Sequence, residues 1–98
     1  MLESKVERRL KKRVEALGSG AMCRKLESPG FSGMPDRMIL LPGEKVVFVE
    51  TKQPGKKERA RQEYVQGLIR ALGFEVWSSV DTMERVDAVV QRCKELMR

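Results

Sequence analysis

The feature that most constrains the fold is an apolar strand-turn-strand segment in the middle of the chain. Arg37 to Leu41 (RMILL) is a short strand candidate, and Val46 to Glu50 (VVFVE) is the strongest strand signal in the sequence. The Pro42-Gly43-Glu44-Lys45 segment between them has the composition of a turn. The two strands therefore predict a β-hairpin, and their nearly continuous apolar character predicts that other elements cover both of its faces.

The segments around the hairpin predict three helices and two more strands. Apolar residues recur at steps of three and four in residues 2–17, in residues 57–72 and after residue 82. The last of these helices is expected to be capped by Asp81 or Thr82, and Glu84 is placed to complete a capping box with Asp81. The second helix is expected to bury a stripe of Tyr64, Val65, Leu68, Ile69 and Leu72. With strand candidates at 21–26 and 74–80, the order α-β-β-β-α-β-α predicts a single α/β domain over residues 1–98, with a mixed sheet flanked by helices.

The positive charge of the chain lies in two blocks. The net charge is +6, and residues 1–25 contribute eight basic against three acidic residues. Residues 53–62 contribute four basic residues against one acidic residue. Such blocks attract a polyanion, most often nucleic acid, although a solvated surface has the same composition.

The absence of histidine and the presence of only two cysteines exclude several kinds of site. A Cys/His zinc cluster cannot form from one chain, and histidine general-base catalysis is impossible. Cys23 and Cys93 are expected to be buried core residues of a reduced, intracellular protein. No apolar run approaches the length of a membrane span, so no membrane is expected as a partner. No small-molecule organic cofactor is expected either.

Three charged residues are expected to meet at the open end of the hairpin. Asp36 precedes one strand and Glu50 ends the other, and Lys52 projects from the same strand face as Glu50 because it is two residues further on. Paired carboxylates are ligands for Mg²⁺ or Mn²⁺, and the carbonyl of Thr51 is a further candidate ligand. Lys52 is placed to orient or deprotonate a water or to neutralise charge on a phosphate. An ordinary surface ion pair at a hairpin end remains the alternative.

Four parts of the sequence form a specific combination: Gly33-Met34-Pro35-Asp36-Arg37, Val47-Phe48-Val49-Glu50-Thr51-Lys52, Gln62 after a basic stretch, and Leu72-Gly73-Phe74-Glu75-Val76. Together they resemble the VRR-NUC (virus-type replication-repair nuclease) family of the PD-(D/E)XK superfamily. The resemblance implies a restriction-endonuclease-like core and metal-dependent hydrolysis of DNA. It also implies a phage- or prophage-encoded cytoplasmic homodimer that cuts branched DNA, including four-way (Holliday) junctions.

The resemblance also implies roles for particular residues. Asp36 and Glu50 match the metal-binding acids and Lys52 the catalytic lysine, while Gln62 matches a supporting glutamine on the second helix. Glu7 is expected to be the leading acid on the first helix, with Glu3 as the other candidate. The residues expected to contact DNA are Lys25, Arg37, Lys56, Lys57, Arg59 and Arg61, of which the last four belong to a basic run expected to open the second helix. Two alternatives stay open: a nuclease of flaps, nicks or single strands, and a basic DNA-binding module without activity.

Overall fold

The structure, a computed structural model, describes residues 5–98 and confirms the predicted order of elements. In chain order they are α1 (Lys5–Glu15), β1 (Met22–Lys25), β2 (Arg37–Leu41), β3 (Lys45–Thr51), α2 (Ala60–Ala71), β4 (Glu75–Val80) and α3 (Met83–Leu96). The predicted start of the first helix, with Leu2 and Glu3, lies outside the described residues. Among the described helices, none combines the length and apolarity that a bilayer span requires.

The four strands form one mixed sheet in the order β1-β2-β3-β4. The β1–β2 and β2–β3 pairs are antiparallel, whereas β3 and β4 are parallel and joined through α2. In the hairpin Arg37 pairs with Val49 and Leu41 with Lys45, so the turn begins directly after Leu41. This register places Asp36 opposite Glu50 at the open end of the hairpin.

Helices cover both faces of the sheet, as the apolar hairpin predicted. The larger core lies between the sheet and the pair α1 and α3, and it contains both free cysteines, Cys23 and Cys93, fully buried. A smaller core on the other face contains Val65 and Ile69 of α2 with Val76 of β4. Burial raises the pKa of each of the two thiols to about 11, as expected for core cysteines.

The predicted inner stripe of α2 is wrong at three of its five positions. Tyr64, Leu68 and Leu72 are 59%, 44% and 77% exposed, whereas Val65 and Ile69 are buried. The buried face is narrow because α2 covers this face of the sheet alone, so Tyr64 and Leu68, which directly precede Val65 and Ile69, already point outward. Gln66, a polar residue that the pattern did not place in the core, is buried with them.

The start of α2 differs from the prediction, whereas α3 has one of its two predicted caps. Helix α2 begins at Ala60, not at residue 57, so Lys56 and Lys57 precede the helix rather than opposing its dipole from the first turn. Helix α3 is capped by Thr82, whose side chain accepts a hydrogen bond from the Arg85 amide, and this excludes the capping box based on Asp81.

Candidate active site

Asp36 and Glu50 are joined by backbone hydrogen bonds at the open end of the hairpin. The Asp36 amide donates to Oε1 of Glu50 at 3.1 Å. The Thr51 amide donates to Oδ1 of Asp36 at 2.7 Å, and the Thr51 hydroxyl donates to Oδ2 of the same carboxylate at 2.5 Å. Each acid is thus oriented by the strand that carries the other, and the predicted convergence of the two carboxylates is present.

Lys52 and Gln62 complete the site from β3 and α2. The Lys52 ammonium lies 3.3 Å from Oε2 of Glu50 and donates to Oε1 of Gln62 at 2.8 Å. The Gln62 amide nitrogen donates to the same Glu50 oxygen at 2.9 Å. Gln62 sits one turn before the buried Gln66, on the side of α2 that faces the sheet, and it holds both neighbours at once.

Glu7 of α1 reaches the same group of residues. Its side chain is 17% exposed, its charge and a hydrogen bond act on Asp36, and its carboxylate lies 3.6 Å from the guanidinium of Arg37. Glu7 is therefore the described first-helix glutamate that reaches Asp36. The alternative, Glu3, lies outside the described residues.

Arg37 does not have the surface position that a DNA contact requires. It is 3% exposed, on the face of β2 shared with the buried Ile39 and Leu41, and it pairs with Glu7. The strand alternation that puts Ile39 and Leu41 in the core puts Arg37 there too. We therefore correct its predicted role from binding DNA to holding Glu7.

Asp36 and Glu50 are ionised with difficulty. Burial raises the pKa of Asp36 above its ordinary value, and the charge of Glu7 adds to the rise against the hydrogen bonds from Thr51. Burial, followed by the charge of Asp36, raises the pKa of Glu50 from 4.5 to about 7, although Lys52 lowers it. Burial and the neighbouring negative charges thus both oppose the ionisation of Asp36 and Glu50.

This donor chemistry fits a hard divalent cation. Within residues 5–98, no three acidic, histidine or cysteine side chains already form a metal cage. Mg²⁺ does not require one, because it retains several waters and is commonly held by one or two carboxylates and a substrate phosphate. The clustered charge on Asp36, Glu50 and Glu7 is the feature that such an ion would neutralise.

The remaining basic candidates lie on the surface around the site. Lys25 is exposed at the end of β1, in register with Arg37, while Lys56, Lys57 and Arg59 are exposed in the segment between Lys52 and α2. Arg61 is also exposed, but its guanidinium lies 4.8 Å from the Phe31 ring centre and donates to the carbonyl of Ser32. Arg61 therefore already fixes the 27–34 loop to α2.

Two contacts of the site do not follow from the sequence patterns. The Thr51 hydroxyl holds Asp36, whereas the sequence predicts a role for the Thr51 carbonyl only. Glu58 lies 3.8 Å from the Lys52 ammonium, although in the sequence it is a single acid within a basic run. The alternating burial of β2 would have identified Arg37, but no pattern of this sequence points to Glu58.

Comparisons with known proteins agree with this geometry. No model of a protein family matches the chain. The protein named "Putative nuclease p44" of Acyrthosiphon pisum secondary endosymbiont phage 1 is 39% identical over 74 residues, which cover 76% of this chain and 77% of that protein. A solved structure described as "VRR_NUC domain" superposes with a TM-score of 0.78 at 32% identity, over 89% of this chain and 91% of the other. The predicted family and the restriction-endonuclease-like fold are thereby confirmed, and the chain belongs to the VRR-NUC family of nucleases.

Proposed function

We propose that this nuclease is a Mg²⁺- or Mn²⁺-dependent endonuclease that hydrolyses DNA phosphodiester bonds. The observation that carries the proposal is the meeting of Asp36, Glu50, Lys52 and Gln62 in one hydrogen-bonded group, with Glu7 beside Asp36. A DNA-binding module has no need for buried acids whose ionisation is opposed by their surroundings. Phosphodiester hydrolysis with a divalent cation does need them.

Each residue has a distinct task in this proposal. Asp36 and Glu50 hold the cation, with Glu7 and the Thr51 carbonyl as further ligands. The bound cation supplies positive charge to the scissile phosphate and lowers the pKa of a bound water. Lys52 orients that water or neutralises charge that builds on the phosphate. Gln62 fixes Lys52 relative to Glu50, because one amide contacts both side chains.

The exposed basic residues are proposed to hold the DNA backbone. Lys56, Lys57 and Arg59 lie in the segment that connects Lys52 to the helix of Gln62, and Lys25 lies on the neighbouring end of β1. Cations close to a hydrolytic site bring phosphates to it and make binding weaken with salt. We expect each of these side chains to add affinity without adding sequence preference.

The substrate we propose is branched DNA, such as a four-way junction, cut by a homodimer. The outer face of α2 supports a dimer, because Tyr64, Leu68 and Leu72 follow one another at steps of four and are all exposed. Gly67 lies in the same helix, and a side chain there would meet nothing within 4 Å. An exposed glycine inside a helix costs stability but permits another helix to approach closely. A second copy of the chain, related by a two-fold axis, would cover this row of three exposed side chains with its own Tyr64, Leu68 and Leu72.

The dimer is tested by a charged substitution in this row. Leu72→Glu changes a residue that is 77% exposed, so the fold of one chain is expected to survive. Light scattering after size exclusion should give the wild type a mass twice the 11.2 kDa of one chain and give the variant a single-chain mass. The matched control is Met22→Glu, which charges a 41% exposed residue on the edge strand β1. A wild type that is monomeric, or a variant that stays dimeric, would rule out this interface.

The activity is tested by comparing four-way, flap, nicked and linear DNA with Mg²⁺, Mn²⁺ or a chelator. We expect paired, symmetric cuts near the branch of the four-way substrate, none with the chelator, and none by Asp36→Asn although it still binds DNA. Preferential cutting of flaps or nicks would replace the junction proposal with the broader nuclease. Tight DNA binding without cleavage under any metal would leave only the binding module.

A further inference from the structure

Glu58 is a largely buried acid that the proposed function does not use. It precedes α2 in a segment without regular structure, between basic residues, yet its side chain is only 11% exposed. Its Oε1 atom accepts hydrogen bonds from the amide and the hydroxyl of Ser79, at 2.9 and 3.2 Å. Its Oε2 atom has no hydrogen bond within residues 5–98 and lies 3.8 Å from the Lys52 ammonium. One oxygen is thus anchored to β4 while the other faces Lys52.

The anchor of Glu58 is an irregular part of the sheet. Between the pairs Val49–Trp77 and Thr51–Val80, β4 contains one residue more than β3, so it bulges at Ser78 and Ser79. Ser79 has a φ of 51°, a left-handed conformation that is unfavourable for a residue with a side chain. The bulge turns the Ser79 amide toward the Glu58 carboxylate. Because the strained backbone of Ser79 holds the Glu58 carboxylate by a hydrogen bond, we infer that the position of this carboxylate matters.

A second polar layer supports the same carboxylate from α2. Gln66 is 1% exposed, its amide nitrogen lies 3.5 Å from Oε1 of Glu58, and its carbonyl oxygen accepts a short hydrogen bond from the Ser78 hydroxyl. A buried polar network of this kind stabilises a fold less than apolar packing unless all of its members are satisfied. The unsatisfied oxygen of Glu58 is the member that faces Lys52.

The Lys52 ammonium consequently has three neighbouring side chains. Its ammonium contacts Glu50 at the end of β3, Gln62 on α2 and Glu58 in the connecting segment, at 3.3, 2.8 and 3.8 Å. A lysine side chain has four rotatable bonds and would follow the strongest negative charge available. When a cation engages the charge of Glu50, the pull of Glu50 on the ammonium weakens, whereas Glu58, which is not a proposed metal ligand, keeps its own pull.

We propose that Glu58 is a positioning residue that fixes the Lys52 ammonium beside the scissile phosphate. The inference rests on the proposed function, in which Lys52 acts on the reacting water or phosphate. In this role Glu58 acts through Lys52 and does not itself bind the substrate or the cation. The proposal explains why an acid is buried within the most basic segment near the site.

Glu58→Gln separates this role from a structural one. The amide oxygen of glutamine can still accept from Ser79, so the anchor on β4 remains, whereas the charge facing Lys52 is lost. The matched control is Glu63→Gln, because Glu63 is an exposed acid lining the same 430 Å³ cavity as Glu58. Glu58→Asp keeps the charge on a shorter side chain.

The test measures kcat and KM together with the rate at which an acetylating reagent labels Lys52 in the metal-free protein. We expect Glu58→Gln to lower kcat by about tenfold or more, with KM and the unfolding midpoint little changed. Loss of one partly exposed ion pair should speed Lys52 labelling by about threefold. In a Lys52→Ala background Glu58→Gln should cause no further loss, and Glu63→Gln should match the wild type.

Unchanged kcat and labelling in folded Glu58→Gln, or an equal loss in Glu63→Gln, would overturn the inference. If Glu58→Gln does not fold, Glu58→Asp decides: a parallel fall in kcat and rise in labelling supports the inference, and a fall in kcat alone refutes it. A wild type that cuts no DNA would remove the proposed function. The labelling experiment would then still show whether Glu58 holds Lys52.

Discussion

The buried acids of the site should make the metal-free protein less stable as the pH rises. The pKa of Glu50 is raised from 4.5 to about 7 in the folded state, so the folded protein binds the proton more tightly than the unfolded chain does. The stabilisation that the Glu50 carboxyl contributes is fully present below its pKa in the unfolded chain. It is lost as the pH rises through the pKa of this carboxyl in the folded protein. Since one pKa unit corresponds to 1.36 kcal/mol, the full loss is about 3 kcal/mol. Asp36, whose pKa is also raised, should change stability in the same direction.

Glu50→Gln isolates the contribution of one acid, because glutamine stays neutral at every pH. We expect urea unfolding with a chelator, at about pH 5 and about pH 8, to show the wild type losing about 2 to 3 kcal/mol more than the variant between the two conditions. Glu27→Gln, which changes an exposed acid in the 27–34 loop, should follow the wild type. The comparison uses the change in the free energy of unfolding between the two pH values. The pH-independent cost of altering the contacts of Glu50 with Gln62 and Lys52 therefore cancels.

A divalent cation should reverse this loss at the higher pH. At a concentration a hundred times its Kd, a ligand of the folded state adds about 2.7 kcal/mol, and Glu50→Gln should gain less because it lacks one proposed ligand. The reasoning is refuted if wild type and Glu50→Gln respond equally to pH, since Glu50 would then not be the acid that is difficult to ionise.

Three further changes test individual contacts. Gly33→Ala should destabilise the protein more than Gly30→Ala in urea unfolding: both have positive φ, but only at Gly33 does an added Cβ meet atoms of α2 at 2.9 Å. Arg37→Met should lower the free energy of unfolding by about 3 kcal/mol, because it leaves the Glu7 carboxylate without its buried partner; an unchanged value would show that the pair is unimportant. Gln62→Leu should reduce kcat by about ten- to a hundredfold in single-turnover cleavage, and an undiminished kcat would exclude its role in holding Lys52.

The parts of the fold that the sequence predicts well are those where one physical pattern dominates. The strands of the hairpin are β-branched and separated by a turn composition, so their pairing and the meeting of Asp36 with Glu50 follow from local chemistry. Helix α3 has apolar residues on one face only, and Val86, Val89 and Cys93 are buried as its spacing predicts.

The parts that the sequence does not predict depend on where the elements pack. Tyr64, Leu68 and Leu72 are apolar at helical spacing, and only the position of α2 on the sheet leaves them outside. Glu58 is largely buried because a bulge in β4 presents to it the amide of Ser79, 21 residues later in the chain. Composition gives no sign of either arrangement.

The most direct measurement of the proposed chemistry is anomalous diffraction from crystals of this nuclease grown with Mn²⁺. We expect one strong peak at the open end of the hairpin, within coordination distance of carboxylate oxygens of Asp36 and Glu50, and no peak there in Asp36→Asn. A contact from Glu7 would identify it as the leading acid. A peak elsewhere, or an empty site at Mn²⁺ concentrations that support cleavage, would contradict the assignment of these acids to the metal.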